Sequence, residues 1–328
     1  MSLKCWRIIV ITCLLPMVSA VQAAGPYPRM FVFGDSISDT GNLIAMIPPH
    51  ILKFPKPFYK NHISNGQVAL ELVANDVTPE SLKPYFVDKA NGTNFAIAGA
   101  RVDGTGFVDA KMIDLDAQIS HFWDSVDAAG GVFPEDSLIA FEIGGNDVMH
   151  VRDYSAADAA EDIDSTLDIY RDKLLSLSHI QKNDFLIVNM PDISLMPYLI
   201  DKAGGDAVQL TKWRNLALQF NNGLSNRINE VRADSNVVAA GSRFFVFDLF
   251  AFSQSIAAGT AGEAFDYTQI SCLDDYKPKE LLLKPWKLTC AEECGKNARH
   301  LDKFMFFDKQ HFSARAHDLI AQEILATL

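Results

Sequence analysis

The feature that most restricts the fold of this chain is an alternation of short apolar runs with longer amphipathic stretches. The runs are rich in Val, Ile and Phe, are apolar at successive positions, and mostly end at Gly or Pro, which is typical of strands buried on both faces. Strands that alternate with helices pair in parallel, and the helices cover both sides of the sheet. The runs predict strands within residues 30–34, 93–99, 137–145, 184–191 and 243–250.

The stretches between these runs carry apolar residues three and four positions apart, the spacing of an amphipathic helix. They predict helices within residues 67–76, 112–128, 206–232 and 314–328. No repeat, low-complexity tract or linker divides the chain, so the sequence predicts one α/β domain over residues 25–328.

Residues 1–24 predict a secretory signal peptide. Lys4 and Arg7 precede an apolar segment shorter than the ~20 residues that span a membrane, and small residues lie before Ala24. An uncleaved anchor is the alternative. Beyond this segment 27 Lys and Arg stand against 41 Asp and Glu, a net charge of −14, which argues against a nucleic-acid partner. We therefore expect a secreted or periplasmic protein.

A cluster of small polar residues follows the first predicted strand. Sites in parallel sheets lie beyond the carboxyl ends of the strands, so these residues are candidates for chemistry. Gly34 permits a tight turn, and Ser36 would begin the next helix, where an unpaired N–H and the helix dipole favour negative charge. Ser36 is thus a candidate nucleophile that also donates its N–H to an oxyanion. The alternative is a helix cap, a role that suits Asp39 as well.

Three further strand ends carry residues suited to the same chemistry. Gly99 can offer a backbone N–H, and Asn146 can offer a side-chain amide to an oxyanion. Asp308 and His311 are three apart, so the carboxylate can orient the imidazole as a base for the serine. Taken singly, each has an ordinary alternative: a strand end, a turn and an exposed acid–histidine pair.

Cys272, Cys290 and Cys294 lie close together in the mature chain. In an exported protein such cysteines favour a disulfide, and we prefer Cys272–Cys294 over Cys272–Cys290 because Cys294 lies nearer to Asp308. A zinc site built from the three thiolates and His300 is the alternative.

The four pieces together resemble the GDSL esterases and lipases of the SGNH hydrolase superfamily. The stretches FVFGDSISDTGN, NFAIAGAR, GGND and DKQH are similar to the four family blocks, with Ile37 where Leu is usual, and the resemblance covers residues 30–317. It implies a three-layer α/β/α sandwich of flavodoxin-like type with a mostly parallel sheet, and no metal or cofactor.

The resemblance also implies roles for the candidate residues. Ser36 is the nucleophile, His311 the base and Asp308 its orienting partner, while the Ser36 and Gly99 amides and the Asn146 side chain form the oxyanion hole. The expected activity is hydrolysis of acyl esters of phospholipids or lysophospholipids. A carbohydrate or small-ester acetylesterase, a lipid acyltransferase and a catalytically dead lipid- or glycan-binding protein are the alternatives.

An insert at residues 262–303 resembles the disulfide-bearing loop of secreted bacterial phospholipases and acyltransferases. Residues 281–283, all Leu, and Trp286 could contact an acyl chain or a membrane surface, or could simply pack the loop down. We expect a protease that cuts within residues 273–289 to raise activity on long-chain lipid more than on short esters.

Overall fold

The computed structural model describes residues 25–47, 54–104, 113–262, 264–275, 289–295 and 298–328. The predicted signal peptide lies outside the described residues. Within these ranges, no helix combines the length and the apolar character needed to cross a membrane.

The centre of the molecule is a parallel sheet whose strands lie in chain order. These are β1 (Met30–Gly34), β2 (Leu138–Glu142), β3 (Asp184–Val188) and β4 (Arg243–Phe247). The first three strands are buried along their whole length, as continuous apolar runs require, and β4 is partly exposed. The predicted α/β fold is confirmed, and four of the five predicted strands are present.

The remaining predicted strand, at residues 93–99, is not a regular strand. Residues 93–97 lie beside β1 and form one bridge to it, between Val32 and Asn94, and Asn94 forms a second bridge to Pro84. The Asn42 amide donates to the carbonyl oxygens of Asn94 and Ala96 at 2.8 and 2.9 Å, and the amide of Tyr85 also donates to the carbonyl oxygen of Asn94, at 2.9 Å. With this segment counted, the sheet has the order of flavodoxin-like folds.

Helices flank the sheet. In chain order the α-helices are α1 (Asn42–Met46), α2 (Ala69–Val77), α3 (Leu115–Ala128), α4 (Gly145–Val151), α5 (Ala156–Ser178), α6 (Pro197–Ala203), α7 (Ala207–Ala233), α8 (Ser235–Ala240), α9 (Leu249–Ala257) and α10 (Ala314–Thr327). The four predicted helices are present as α2, α3, α7 and α10. α5, which the sequence analysis did not predict, packs along α7, and α2 packs along α10.

Short strands occupy the predicted insert, where the sequence showed little strand period. β5 (Tyr267–Ser271) pairs in parallel with β8 (Phe304–Phe306), and β6 (Leu273–Asp275) pairs antiparallel with β7 (Thr289–Cys290). β8 directly precedes the segment that carries Asp308 and His311.

Buried apolar residues form two clusters. The main core lies around the four-stranded sheet. The second cluster joins α1, residues 54–63 and the insert, and its members are Ile44, Phe54, Phe58, Ile63, Ala98, Cys272, Leu273, Cys294, Ala298, Leu301, Phe304 and Phe307.

Candidate active site

Ser36 lies in the turn directly after β1, and it is partly exposed. The amides of Ser38 and Asp39 close the turn by donating to the carbonyl oxygen of Asp35 at 3.2 and 3.0 Å. The expected position of Ser36 at the start of a helix is wrong, because α1 begins only at Asn42 and spans five residues. A helix dipole therefore does not act on Ser36.

The buried carboxylate of Asp39 fixes this turn. It accepts hydrogen bonds of 2.6 to 3.0 Å from three amides at the start of α1 and from the amide of Ala98. The first three bonds agree with the capping role considered for Asp39. The bond to Ala98 ties the turn of Ser36 to the segment that carries Gly99.

Asp308 and His311 lie in the loop after β8. Asp308 Oδ1 accepts hydrogen bonds from the amides of Gln310 and His311, both at 2.8 Å. The amide of Phe307 donates to the carbonyl oxygen of His311, also at 2.8 Å. These bonds close a tight loop that holds both side chains on one face, as the three-residue spacing predicts.

Ser36, His311 and Asp308 form a continuous hydrogen-bonded chain. His311 Nε2 lies 2.8 Å from Ser36 Oγ, and His311 Nδ1 lies 2.8 Å from both carboxylate oxygens of Asp308. Burial alone would lower the pKa of His311, but the charge and hydrogen bond of Asp308 outweigh burial and raise that pKa. This arrangement allows the imidazole to take a proton from the serine and to be stabilised as a cation.

Asn146 lies in the first turn of α4, just beyond β2. Gly144 precedes the helix with φ of 126°, and a Cβ there would lie 2.3 Å from the Phe220 ring, so only glycine fits. The Asn146 side-chain amide donates to the carbonyl oxygen of Ala100 at 2.9 Å and to Asp35 Oδ2 at 3.4 Å. The second distance exceeds that of an ordinary hydrogen bond, so this hydrogen can turn to a stronger acceptor.

Gly99 lies at the same edge of the sheet and is exposed. Its φ of 86° is in the left-handed region that favours glycine. Its two neighbours are held in place, since the Ala98 amide bonds Asp39 and the Ala100 carbonyl bonds Asn146. The structure thus brings the backbone of Gly99 near both Ser36 and Asn146, and its role as an N–H donor stays a prediction.

Buried polar residues that the sequence analysis did not single out support this edge. The Gln118 side chain exchanges two hydrogen bonds of 2.9 Å with the amide and carbonyl of Gly34, as a neighbouring strand would. Asp147 binds the amide of Val102 at 3.0 Å and Arg101 Nε at 3.3 Å. Burial raises the pKa of Asp147 to about 7. Gln118 could have been found from the sequence, because it is a polar residue within the apolar stripe of a predicted helix.

Two more carboxyl groups are buried behind the nucleophile, and the sequence analysis missed both. Asp35 and Glu142 are 3% and 5% exposed, and they lie at the ends of the paired strands β1 and β2. The Ser38 hydroxyl donates to Glu142 Oε2 at 2.9 Å, and the Ile37 amide donates to Asp35 Oδ1 at 3.1 Å. Burial raises the pKa of Asp35 to about 6, and burial with the charge of Asp35 raises that of Glu142 well above its usual range.

The cysteines of the insert pair as the sequence analysis preferred. Cys272 and Cys294 form a disulfide with their Cα atoms 5.2 Å apart, and Cys290 keeps a free thiol. The disulfide uses two of the three thiolates that the zinc alternative requires. Among the described residues, no group of three His, Cys, Asp or Glu side chains is arranged to hold a metal ion. Residues 281–283 and Trp286 lie outside the described residues.

Comparison with known proteins gives a consistent set of matches. The family model of GDSL-like lipases and acylhydrolases matches residues 30–324. A GDSL esterase/lipase of Arabidopsis thaliana is 24% identical over 98% of this chain and 92% of its own length. The thermolabile hemolysin of Vibrio parahaemolyticus is 23% identical over 90% of this chain and 63% of its own. The phosphatidylcholine-sterol acyltransferase of Aeromonas hydrophila is 27% identical over 56% of this chain and 52% of its own.

Proposed function

The chain belongs to the family of GDSL-like lipases and acylhydrolases, and from this premise we propose that it is a secreted serine ester hydrolase acting through an acyl-enzyme on Ser36. The family supports activity on lipid esters, by hydrolysis or by acyl transfer. The single observation that carries the proposal is the 2.8 Å contact between Ser36 Oγ and His311 Nε2, with Asp308 on the other imidazole nitrogen.

Acylation begins when Ser36 Oγ attacks the carbonyl carbon of the ester while His311 Nε2 takes the hydroxyl proton. The tetrahedral oxyanion accepts hydrogen bonds from the Ser36 and Gly99 amides and from the Asn146 side chain, which gives up its long contact to Asp35. The intermediate collapses, the ester C–O bond breaks, and His311 returns the proton to the leaving alcohol. The acyl group remains on Ser36.

Deacylation repeats these steps with water as the nucleophile. His311 removes a proton from water, the oxygen attacks the acyl carbon, and Ser36 leaves with the proton that His311 holds. If a sterol or another alcohol enters in place of water, the same steps transfer the acyl group and form a new ester. Hydrolysis and acyl transfer therefore require the same residues and differ in the acceptor.

We propose glycerophospholipids or lysophospholipids as substrates. The resemblance of the insert to the disulfide loop of secreted phospholipases supports this class, as does a relative that is named for phosphatidylcholine and a sterol. An acetylesterase acting on carbohydrates or small esters is the second candidate enzyme. A dead lipid- or glycan-binding protein is the rival of another class, and the complete set of four family blocks argues against it.

The test of the substrate is a measurement of released acids. The purified protein and the Ser36→Ala variant are incubated with a mixed phospholipid extract, with and without cholesterol, and with acetylated sugars. Long-chain fatty acids released only by the wild type would support the proposal. Release of acetate alone would support the acetylesterase, sterol esters in excess over free acids would support the acyltransferase, and no release would support the binding protein.

Secretion, contact with a membrane surface and activation by a protease stay predictions. The predicted signal peptide at residues 1–24 and the loop at residues 276–288 lie outside the described residues. The disulfide between Cys272 and Cys294 supports an oxidising compartment. Intact-mass analysis of the exported protein would test the cleavage at residue 24, and limited proteolysis followed by assays on long-chain and short-chain esters would test the activating cut.

A further inference from the structure

The carboxyl group of Asp35 contacts the Asn146 side-chain amide, which the proposed oxyanion would also use, and the backbone of the turn that carries the nucleophile. Oδ2 accepts the side-chain amide of Asn146 at 3.4 Å, and Oδ1 accepts the amide of Ile37 at 3.1 Å. The amide of Ser36 also favours the charged form of Asp35. Asp35 therefore binds the turn of the nucleophile and the Asn146 side chain from the buried side.

Glu142 places a second carboxyl group beside Asp35. The Asp35 amide donates to the Glu142 carbonyl oxygen at 3.2 Å, and both side chains are buried. Two adjacent carboxyl groups removed from water do not both ionise, because the charges repel and burial penalises each of them. Asp35 receives backbone amides and faces His311, whereas Glu142 receives one neutral hydroxyl from Ser38. The single negative charge of the pair therefore resides on Asp35.

We propose that Asp35 is a positioning residue of the active site, which in its ionised form orients the Asn146 amide and the Ser36 turn and acts as a second negative charge beside His311, while Glu142 stays protonated. This inference rests on the proposed function. Asp35 touches neither the substrate nor the transferred proton, and it acts through Asn146 and His311.

A neutral Glu142 matters for the oxyanion. The charge of Asp35 opposes a developing oxyanion that shares its donors, but the same charge stabilises the imidazolium that forms on His311. A second charge at Glu142 would add to the repulsion without a comparable gain at His311, since Asp308 already pairs with that imidazole. One proton held on Glu142 keeps the pair at a single charge.

The pH dependence follows from the groups that face His311. The charges that raise its pKa are those of Asp308 and Asp35, and both act against burial. His317, which also faces His311, is neutral because burial lowers its pKa to about 3.

Two further titratable groups face the carboxyl pair: Asp39 faces Asp35, and Tyr170 faces Glu142. Because His311 must be neutral to take the serine proton and Asp35 acts in its ionised form, the acidic limb of kcat/KM reports the titration of both groups.

The test is the pH profile of Asp35→Asn on p-nitrophenyl butyrate. Loss of the charge lowers the pKa of His311, so the acidic limb of kcat/KM should move to lower pH by about one unit. Loss of orientation should lower kcat roughly ten- to hundredfold, because the new amide would face the Asn146 amide as donor against donor. A limb that stays in place would overturn the proposal whatever the change in kcat, because a merely structural role of Asp35 would also lower kcat.

Two further variants keep the test decisive. Asp184→Asn changes a carboxyl group of similar burial at the far end of β3, and it should not move the limb. Glu142→Gln reproduces the shape of a protonated Glu142 and should also leave the limb in place. A shift in Glu142→Gln as large as that expected for Asp35→Asn would put the charge on Glu142 and overturn the assignment, even if Asp35→Asn fails to fold.

The outcome also separates this inference from the proposed function. A wild-type protein that releases no p-nitrophenol, and whose Ser36 does not react with a fluorophosphonate, would contradict the proposed function itself. An active wild type whose acidic limb is the same in Asp35→Asn would contradict only the role of Asp35.

Discussion

The candidate active site has two halves, a nucleophile half with Ser36 and Asn146 and a base half with Asp308 and His311, and they lie on different parts of the molecule. Ser36 and Asn146 follow strands of the four-stranded sheet, which the main core surrounds. Asp308 and His311 follow β8, where Met305 and Phe306 belong to the main core. On that strand Phe304 and, just after it, Phe307 belong to the second cluster, which contains the disulfide.

Both halves are closed by bonds between near neighbours, and they differ in the distant segment that supports each, which is the central sheet for Ser36 and the insert for His311. The turn of Ser36 is closed by side chains within a few residues of it, such as Asp35 and Asp39. The loop of His311 depends on the insert, because the amides of Cys272 and Leu273 donate to the carbonyl oxygens of Phe306 and Phe307 at 3.2 and 2.9 Å. The three predictions that follow separate the two halves.

The largest effect is expected where the two halves meet. Ser36→Ala should lower kcat by ~10^4 or more and leave the fold intact, because Ser36 lies in a partly exposed turn. His311→Ala should cost a similar factor, and the double variant should lose little more, since residues that act as one unit are not additive. Kinetics of the three variants on one soluble ester, with circular dichroism of each, measure this. A double variant whose losses multiply would show that the halves act independently.

A smaller effect is expected within the nucleophile half alone. Asn146→Ala should lower kcat by ~10^2 to 10^3 with little change in KM, because the amide acts mainly on the oxyanion of the transition state. The matched control is Asn222→Ala, an exposed asparagine of α7, which should retain wild-type rates. A change confined to KM would assign Asn146 to binding of the ground-state substrate.

The smallest catalytic effect is expected from the insert. Replacing Cys272 and Cys294 by Ser should lower the free energy of unfolding by about 3 kcal/mol, which is the chain-entropy value for a loop of this length. It should lower kcat by up to about tenfold, because the bonds to Phe306 and Phe307 loosen. Hydrogen exchange should speed up at residues 304–311 and stay unchanged at residues 30–39.

The control for this variant is Cys290→Ser, since Cys290 is a free thiol. This substitution should leave the free energy of unfolding and the hydrogen-exchange rates as they are in the wild type. Equal loss of protection in both halves after removal of the disulfide would contradict the difference between them.

The sequence was most informative where a function depends on neighbours along the chain. The buried strands were predictable from continuous apolar runs, and Asp308 and His311 from their three-residue spacing. α5 was missed although Ile163, Leu167 and Tyr170 lie on its buried side, because acidic residues between them obscure the apolar stripe.

Pairings between residues far apart in the chain could not be predicted from the sequence pattern. The register that sets Gly34 opposite Glu142 brings the Asp35 carboxyl beside another one, and nothing within either strand indicates this. Residues 93–97 have the composition of a strand, but they pair with their neighbours only through isolated bridges, and the Asn42 side chain binds the carbonyl oxygens of Asn94 and Ala96. Five residues separate Ser36 from α1, and the sequence did not reveal this gap because a turn and the first turn of a helix favour the same polar residues.

The most direct test of the account is covalent labelling with a fluorophosphonate, followed by peptide mass mapping. The probe reacts with a serine only when a base activates it and donors stabilise the adduct. We predict one adduct per chain, located on Ser36, with no labelling in Ser36→Ala and much slower labelling in His311→Ala. An adduct on another residue, or no adduct in folded wild-type protein, would contradict the account.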